Sequence, residues 1–244
     1  MKVAVIIPAA GLGTRMGRAS AERAGISRKQ FMLLEGSPIL MHTVRKFAFC
    51  ARVSEIVIAV RHDDLDWVAD LMAGEAHGKL VRVVEGGNSR QQSVENALGS
   101  LARDTDLVAV HDAVRPFIDL ETIDKVIEEA AQTGAAIVGI VPVDTVKQVT
   151  RAQTSKAKIR ATLPRERLVL AQTPQVFRYD LLVRAFESAR NDGFIGTDES
   201  SLVERLEVDV SVVLGSDRNI KITKPSDMDL ARLFLEEETA PRVA

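Results

Sequence analysis

Val3-Ala4-Val5-Ile6-Ile7-Pro8-Ala9-Ala10-Gly11-Leu12-Gly13-Thr14-Arg15-Met16-Gly17 is the stretch on which the fold turns. Its first residues are dense in Val and Ile with no polar alternation, the mark of a strand covered on both faces. The chain then runs straight into a turn of small residues. At an N-terminus such a run can resemble a secretory leader, but it is short, ends in glycines and is followed by arginines, so it reads as a buried strand.

The same pattern recurs at 55–60, 80–84, 107–110, 135–141 and 208–214. Between the early runs, 39–50, 64–72, 90–101 and 120–133 have helical spacing, and two further helices are expected at 180–190 and 225–238. The alternation predicts an α/β fold with a doubly wound, mostly parallel sheet in a single domain spanning 1–244. Ligands of such sheets gather at the carboxyl ends of the strands. The alternation breaks at 142–175, which lacks an amphipathic helix and carries Lys147, Arg151, Lys156, Lys158, Arg160, Arg165 and Arg167 against Asp144 and Glu166. That segment is expected to be an extended β-arm rather than part of the sheet.

Composition narrows the function. The 244 residues carry a net charge of −2, so no global basic field draws in nucleic acid or anionic lipid, and any cationic site must be local. No segment approaches the roughly 20 apolar residues of a membrane helix. A soluble, cytoplasmic protein that binds neither nucleic acid nor membrane is expected. Cys50 is the only cysteine, which excludes an intramolecular disulfide, and its apolar neighbours Phe47-Ala48-Phe49 make it a buried structural thiol. The four histidines have no metal-ligand spacing.

The glycine turn fits neither common nucleotide motif. For G-x-G-x-x-G the third glycine comes one residue late, at Gly17, and Arg61 stands where an acid should follow the second strand. No G-x-x-x-x-G-K-[ST] is present. What remains is a turn whose amides can approach an anion, followed by Arg15, Arg18, Arg23, Arg28 and Lys29, opposed only by Glu22. A triphosphate, with about four negative charges, needs such donors. Gly86-Gly87-Asn88-Ser89 precedes the next helix, where Ser89 reads equally as an N-cap. Asp112, leaving a buried strand in His111-Asp112-Ala113-Val114-Arg115-Pro116, is placed either to cap a turn or to hold Mg²⁺.

Taken together, Pro8-Ala9-Ala10-Gly11-x-Gly13-x-Arg15-Met16, Lys29-Gln30-Phe31, the His111–Pro116 string, Thr162-Leu163-Pro164-Arg165, Gln172-Thr173-Pro174-Gln175 and Asn219-Ile220-Lys221-Ile222-Thr223 resemble the IspD family, the 2-C-methyl-D-erythritol 4-phosphate cytidylyltransferases. The resemblance spans nearly the whole chain. It implies a Rossmann-like nucleotidyltransferase sheet and transfer of a cytidylyl group from CTP to the acceptor phosphate. It implies that Arg15 and Lys29 stabilise the α-phosphate, with Ala9, Ala10, Gly11, Gly13, Gly87, Asn88 and Ser93 around the nucleotide and Asp112 as the Mg²⁺ ligand. Arg115, Thr173 and Lys221 would hold the acceptor, together with Thr145 and Arg165 reaching across a homodimer from the exchanged arm. His111 is given a structural role, because a phosphate nucleophile needs little deprotonation, and Thr197-Asp198-Glu199 is given none.

The sequence departs from the family pattern in the long span from Met16 to Lys29, in Ser27-Arg28 where a proline is common, and in Asn88 where an aspartate is frequent. A ribitol 5-phosphate cytidylyltransferase shares the nucleotide motifs. The Ala9-Ala10-Gly11 start and Thr162-Leu163-Pro164-Arg165 favour the methylerythritol acceptor. An RNA-binding arm would need aromatic stacking platforms, and 142–175 has no aromatic residue.

Overall fold

The computed structural model describes residues 1–11, 28–74, 77–150 and 157–239. A seven-stranded sheet forms the frame. Its strands are β1 (Val3–Pro8), β4 (Val53–Val60), β5 (Leu80–Glu85), β6 (Leu107–Val110), β7 (Ala135–Ile140), β10 (Leu170–Arg178) and β11 (Ser211–Leu214). Their order across the sheet is β11-β7-β10-β6-β1-β4-β5. All pairings are parallel except those of β10, which lies antiparallel between β6 and β7. Two short ladders stand outside the sheet: β2 (Leu33–Leu34) with β3 (Ser37–Pro38), and β8 (Lys147–Val149) with β9 (Ile159–Thr162).

Helices cover both faces, as the uninterrupted apolar strands require. Val3, Val5 and Ile7 point to α1 (Ile39–Ala48), α2 (Leu65–Met72) and α4 (Leu120–Thr133). Ala4 and Ile6 point the other way, to α3 (Arg90–Gly99), α5 (Tyr179–Asn191) and α6 (Glu199–Glu204). The last helix, α7 (Pro225–Thr239), packs with Leu34, Ile39 and Phe117 in a third cluster. Helix α4 shows the local logic. Ile123, Val126, Ile127 and Ala130 repeat at helical spacing on its buried side. Asp119 accepts from the Thr122 amide at 2.7 Å to start it, and Gly134 at φ 95° ends it. Asp119→Ala would cost about 1 kcal/mol.

One boundary differs from the expectation. Residues 170–175, assigned to the arm, belong to β10 in the middle of the sheet. Leu170–Arg178 does not read as a core strand, because Gln172, Thr173, Pro174 and Gln175 are polar or lack an amide donor. The pairing with β7 shifts between Ala171 and Gln175, which accommodates them. The extended excursion proper is the β8–β9 ladder, where the exposed Ile159 and Arg160 leave the body of the sheet. Cys50 is buried, with burial pushing its thiol pKa up, in keeping with a structural thiol.

Candidate active site

The carboxyl ends of β1, β4, β5 and β6 open into one cavity of about 480 Å³. Ala9, Ala10 and Gly11 line it after β1, and Arg61 follows β4. Gly87, Asn88, Ser89, Arg90 and Ser93 follow β5, and Asp112, Ala113 and Val114 follow β6. Lys29 and Lys221 complete the wall. Four cationic side chains thus face one carboxylate, in a chain whose net charge is −2. The local electropositive site demanded by an anionic ligand is present.

The turn after β5 needs its glycines. A Cβ on Gly86 would meet the Ala10 Cβ at 2.8 Å and the Val60 carbonyl at 3.2 Å. The Gly86 amide donates to that carbonyl at 2.6 Å, and the Ala9 amide donates to the Ala59 carbonyl at 2.7 Å, so the two turns lie side by side. Ser89 caps α3 by accepting from the Gln92 amide at 3.1 Å. The Ser93 hydroxyl accepts from the Gly87 amide at 3.0 Å and donates to the Ser89 carbonyl at 2.8 Å. Ser93 therefore shapes the turn, while Asn88 stands exposed at the rim.

Lys29 is set in place from both sides. Its neighbour Gln30 is buried and donates to the carbonyls of Ala9 at 2.5 Å and Gly11 at 3.1 Å, tying the Lys29–Phe31 turn to the glycine turn. On the other side Arg28 pairs bidentately with the buried Asp64 and lies over the Phe31 ring. Arg28, counted with the phosphate-binding cations from sequence, is committed to Asp64 instead. Gly13 and Arg15, with Arg18 and Arg23, lie outside the described residues.

Asp112 is the electrostatic centre. Its Oδ1 accepts from Arg90 Nε at 3.2 Å, while Oδ2 faces Lys221 Nζ at 2.9 Å and Arg115 Nε at 3.4 Å. Burial opposes its charged form, but Arg90, Lys221 and Arg115 overcome this and hold the carboxyl well below the usual range. Arg90 in turn is gripped by Glu199, whose two oxygens accept from Nη1 at 2.7 and 2.9 Å. Burial opposes the Arg90 cation, yet Glu199 and Asp112 hold its pKa above the ordinary value. Burial lowers the pKa of Arg115, whose Nη1 donates to the Asn219 carbonyl at 2.7 Å. Asn219 Nδ2 donates to Gln172 Oε1 and to the Thr173 carbonyl, joining the Lys221 loop to β10.

Behind this wall His111 and Thr173 form a closed relay. The Arg115 carbonyl can only accept, so His111 Nε2 carries the proton and donates to it at 3.0 Å. The Thr173 hydroxyl donates to Nδ1 at 3.1 Å and accepts from the Asp112 amide at 3.0 Å. Burial lowers the His111 pKa to about 4, so the ring is neutral near pH 7, as its structural role requires. The Thr173 hydroxyl thus spends its donor on His111, and by accepting from the Asp112 amide it fixes that backbone from behind.

The structure thus brings Ala9, Ala10, Gly11, Lys29, Gly87, Asn88, Ser93, Asp112 and Lys221 to one cavity, with Arg115 and Thr173 directly behind it. It does not bring Thr145 and Arg165 there. Both are exposed at the root of the arm, and Arg165 Nη1 donates to the Val143 carbonyl at 2.7 Å. Arg90, Gln30 and Glu199 were missed from sequence. Arg90 carried a signal, since a cation at the first position of a helix opposes the dipole and needs another reason to be there.

The donor set bears on a metal. Asp112 is the only carboxylate on the cavity wall among the described residues, and no cluster of three or more His, Cys, Asp or Glu occurs among them. Among the described residues this donor set forms no all-protein cage, and it fits Mg²⁺, which is commonly held by one or two carboxylates plus substrate phosphates.

Comparison with known proteins gives the family. A family model described as 2-C-methyl-D-erythritol 4-phosphate cytidylyltransferase, IspD, matches residues 3–237. A protein of that name from Solibacter usitatus is 73% identical over 98% of both chains. One from Acidobacterium capsulatum is 50% identical, over 98% of this chain and 100% of its own. Among solved structures, 4-diphosphocytidyl-2C-methyl-D-erythritol synthase from Anaerococcus prevotii superposes with a TM-score of 0.81 at 30% identity, covering 96% of both chains. The Thermus thermophilus cytidylyltransferase gives 0.75 at 31% identity, over 96% of this chain and 98% of its own.

Proposed function

The chain belongs to the IspD family of 2-C-methyl-D-erythritol 4-phosphate cytidylyltransferases, and from that premise we propose how its residues carry out cytidylyl transfer. The enzyme transfers the cytidylyl group of CTP to 2-C-methyl-D-erythritol 4-phosphate in isoprenoid precursor synthesis. The ribitol 5-phosphate reading is not favoured by these relatives. An oxygen of the acceptor phosphate attacks the α-phosphorus, the bond to the bridging oxygen of the β-phosphate breaks, and pyrophosphate leaves with the electron pair.

The observation that carries the assignment of roles is the cavity itself, where Lys29, Arg61, Arg90 and Lys221 converge on the glycine turn. Catalysis there is positioning and charge stabilisation, with no covalent enzyme intermediate. Lys29, set by Gln30 and Arg28, stabilises the charge that builds on the α-phosphate, and Arg15 joins it from the 12–27 segment. Gly87, Asn88 and Ser93 form the cytidine pocket, with Ser93 shaping it, and Ala9, Ala10 and Gly11 line the phosphate turn, a role that the family motif extends to Gly13. Lys221 and Arg115 orient the acceptor phosphate, and Thr173 holds Asp112 in register. Asp112 would hold a divalent cation, Mg²⁺, which supplies charge neutralisation to the triphosphate when bound.

The dimer belongs to the same proposal. Thr145 and Arg165 act on the acceptor bound to the partner subunit, and the arm is the exchanged element. Supporting this, Val143 and Ile159 are 77% and 65% exposed in the single chain, apolar surface that a partner would cover. Among the described residues no helix is long and apolar enough to cross a membrane, and we place the reaction in the cytoplasm.

The test is a side-by-side turnover assay with CTP and Mg²⁺, following pyrophosphate release with 2-C-methyl-D-erythritol 4-phosphate or ribitol 5-phosphate as acceptor. The methylerythritol phosphate should be the faster substrate by orders of magnitude. Equal turnover, or preference for ribitol phosphate, would overturn the acceptor assignment.

A further inference from the structure

Glu199 does not reach the cavity. It opens α6 and is 1% exposed. Its amide donates to Gln175 Oε1 at 3.1 Å, alongside that of Ser200 at 3.0 Å, which anchors the start of α6 to β10. A carboxylate so deeply buried is costly unless it is paired and hydrogen-bonded. Its charge partner is Arg90 Nη1, 109 residues away in sequence, and Arg90 Nε faces Asp112 Oδ1. One guanidinium therefore spans from a carboxylate inside the protein to the carboxylate at the centre of the site.

Among the described residues three cations compete for Asp112, and of these only Arg90 has a second carboxylate of its own at this wall. Arg115 is held instead by a neutral carbonyl, that of Asn219. With Nη1 on Glu199 and Nε on Asp112, the Arg90 plane is fixed at two edges, which a lone pairing with Asp112 would not achieve. Arg90 also stands at the first position of α3, where the helix dipole repels a cation, so the helix itself does not keep it there.

We propose that Glu199 is a positioning residue of the transfer reaction, acting through Arg90: it holds the guanidinium against the cavity wall, so that Asp112 and the cationic face presented to the nucleotide keep one arrangement. This rests on the reading of the cavity as the transfer site. A purely structural Glu199 would instead serve to anchor α6 and would affect folding alone.

The test compares Glu199→Gln, Arg90→Gln and the double variant as full chains, with melting temperature, kcat and both KM values measured. Wild-type turnover of CTP with 2-C-methyl-D-erythritol 4-phosphate is the control. If it is absent, the reading of the site fails before the role of Glu199 is reached. With the control in place, Glu199→Gln should lower kcat about 10²-fold in folded enzyme, the scale of a displaced site group. The double variant should be no slower than Arg90→Gln, because removing Glu199 has nothing further to displace. Wild-type kcat in Glu199→Gln, or a double variant slower than Arg90→Gln by the full Glu199 factor, overturns the proposal. If Glu199→Gln alone does not fold, the double variant against Arg90→Gln decides, since the double variant leaves neither a carboxylate nor a guanidinium unpaired; turnover well below that of Arg90→Gln overturns the proposal.

Discussion

The wall around Asp112 and the arm at 142–169 carry comparable numbers of charges but use them in opposite ways. Around Asp112 the charges are answered inside the chain: Asp112 by Arg90, Lys221 and Arg115, Arg90 by Glu199, and Arg115 by the Asn219 carbonyl. At the arm, among the described residues, Lys147 reaches the Thr162 hydroxyl and Arg165 the Val143 carbonyl, both at the surface. A network closed within one chain is preorganised and needs no partner to take shape. Cations that find only neutral groups at the surface of their own subunit are suited to meeting an anion elsewhere. On the proposed reading, this difference separates a wall built within one subunit from an acceptor side that the partner's arm would complete.

The largest effect expected on this division falls on the nucleotide half. Lys29→Ala should lower kcat by about 10²–10³-fold, as loss of one preorganised charge donor does, without lowering the melting temperature. Stopped-flow or steady-state release of pyrophosphate measures it, and a near-normal kcat would remove Lys29 from the chemistry. A smaller and different effect is expected at the arm. Arg165→Ala should raise KM for the acceptor phosphate while sparing that for CTP, by an amount worth about 1.5–3 kcal/mol for one charged hydrogen bond. Titration of each substrate in turn separates the two, and a rise confined to CTP would contradict the division.

The smallest effect concerns the relay behind the wall. His111 has a native pKa of about 4 against 6.5 when unfolded. As pH falls from 6.5 toward 4 the unfolded chain gains a proton that the native one refuses. The stability His111 contributes is thus full above pH 6.5 and lost by about pH 4. Burial raises the Glu199 pKa, which acts in the opposite sense, so the ring should be followed directly. Its NMR signals should show a neutral Nε2–H tautomer with no titration between pH 8 and 5. A midpoint near 6.5 would break the Thr173–His111–Arg115 relay.

Much of this was legible in the sequence, for physical reasons that also explain what was not. Strands buried on both faces must be runs of Val, Ile and Ala, so β1, β4 and β6 are plain to read. The strand β10 is equally central but is built from Gln172, Thr173 and Gln175, whose burial depends on partners far along the chain: the Ser216 and Asn219 region, His111, and Asp198 with Glu199. No local pattern records such partners. The site residues at strand ends followed from topology and the family motifs, and most of them meet in one cavity. Arg28 shows the limit of counting charges, because Asp64 claims it from 36 residues away. Glu199 was passed over for the same reason, its partner Arg90 being visible only once the chain is folded.

The central claim is that one subunit's nucleotide wall works with the other subunit's arm, and mixing tests it most directly. Heterodimers of a Lys29→Ala subunit with an Arg165→Ala subunit, isolated with two different tags, contain one site with both defects and one with neither. They should recover about half the wild-type kcat/KM for the acceptor phosphate per dimer, although each parent homodimer is impaired in kcat/KM at both of its sites. A heterodimer no more active than its parents would place Arg165 in the site of its own chain and contradict the account.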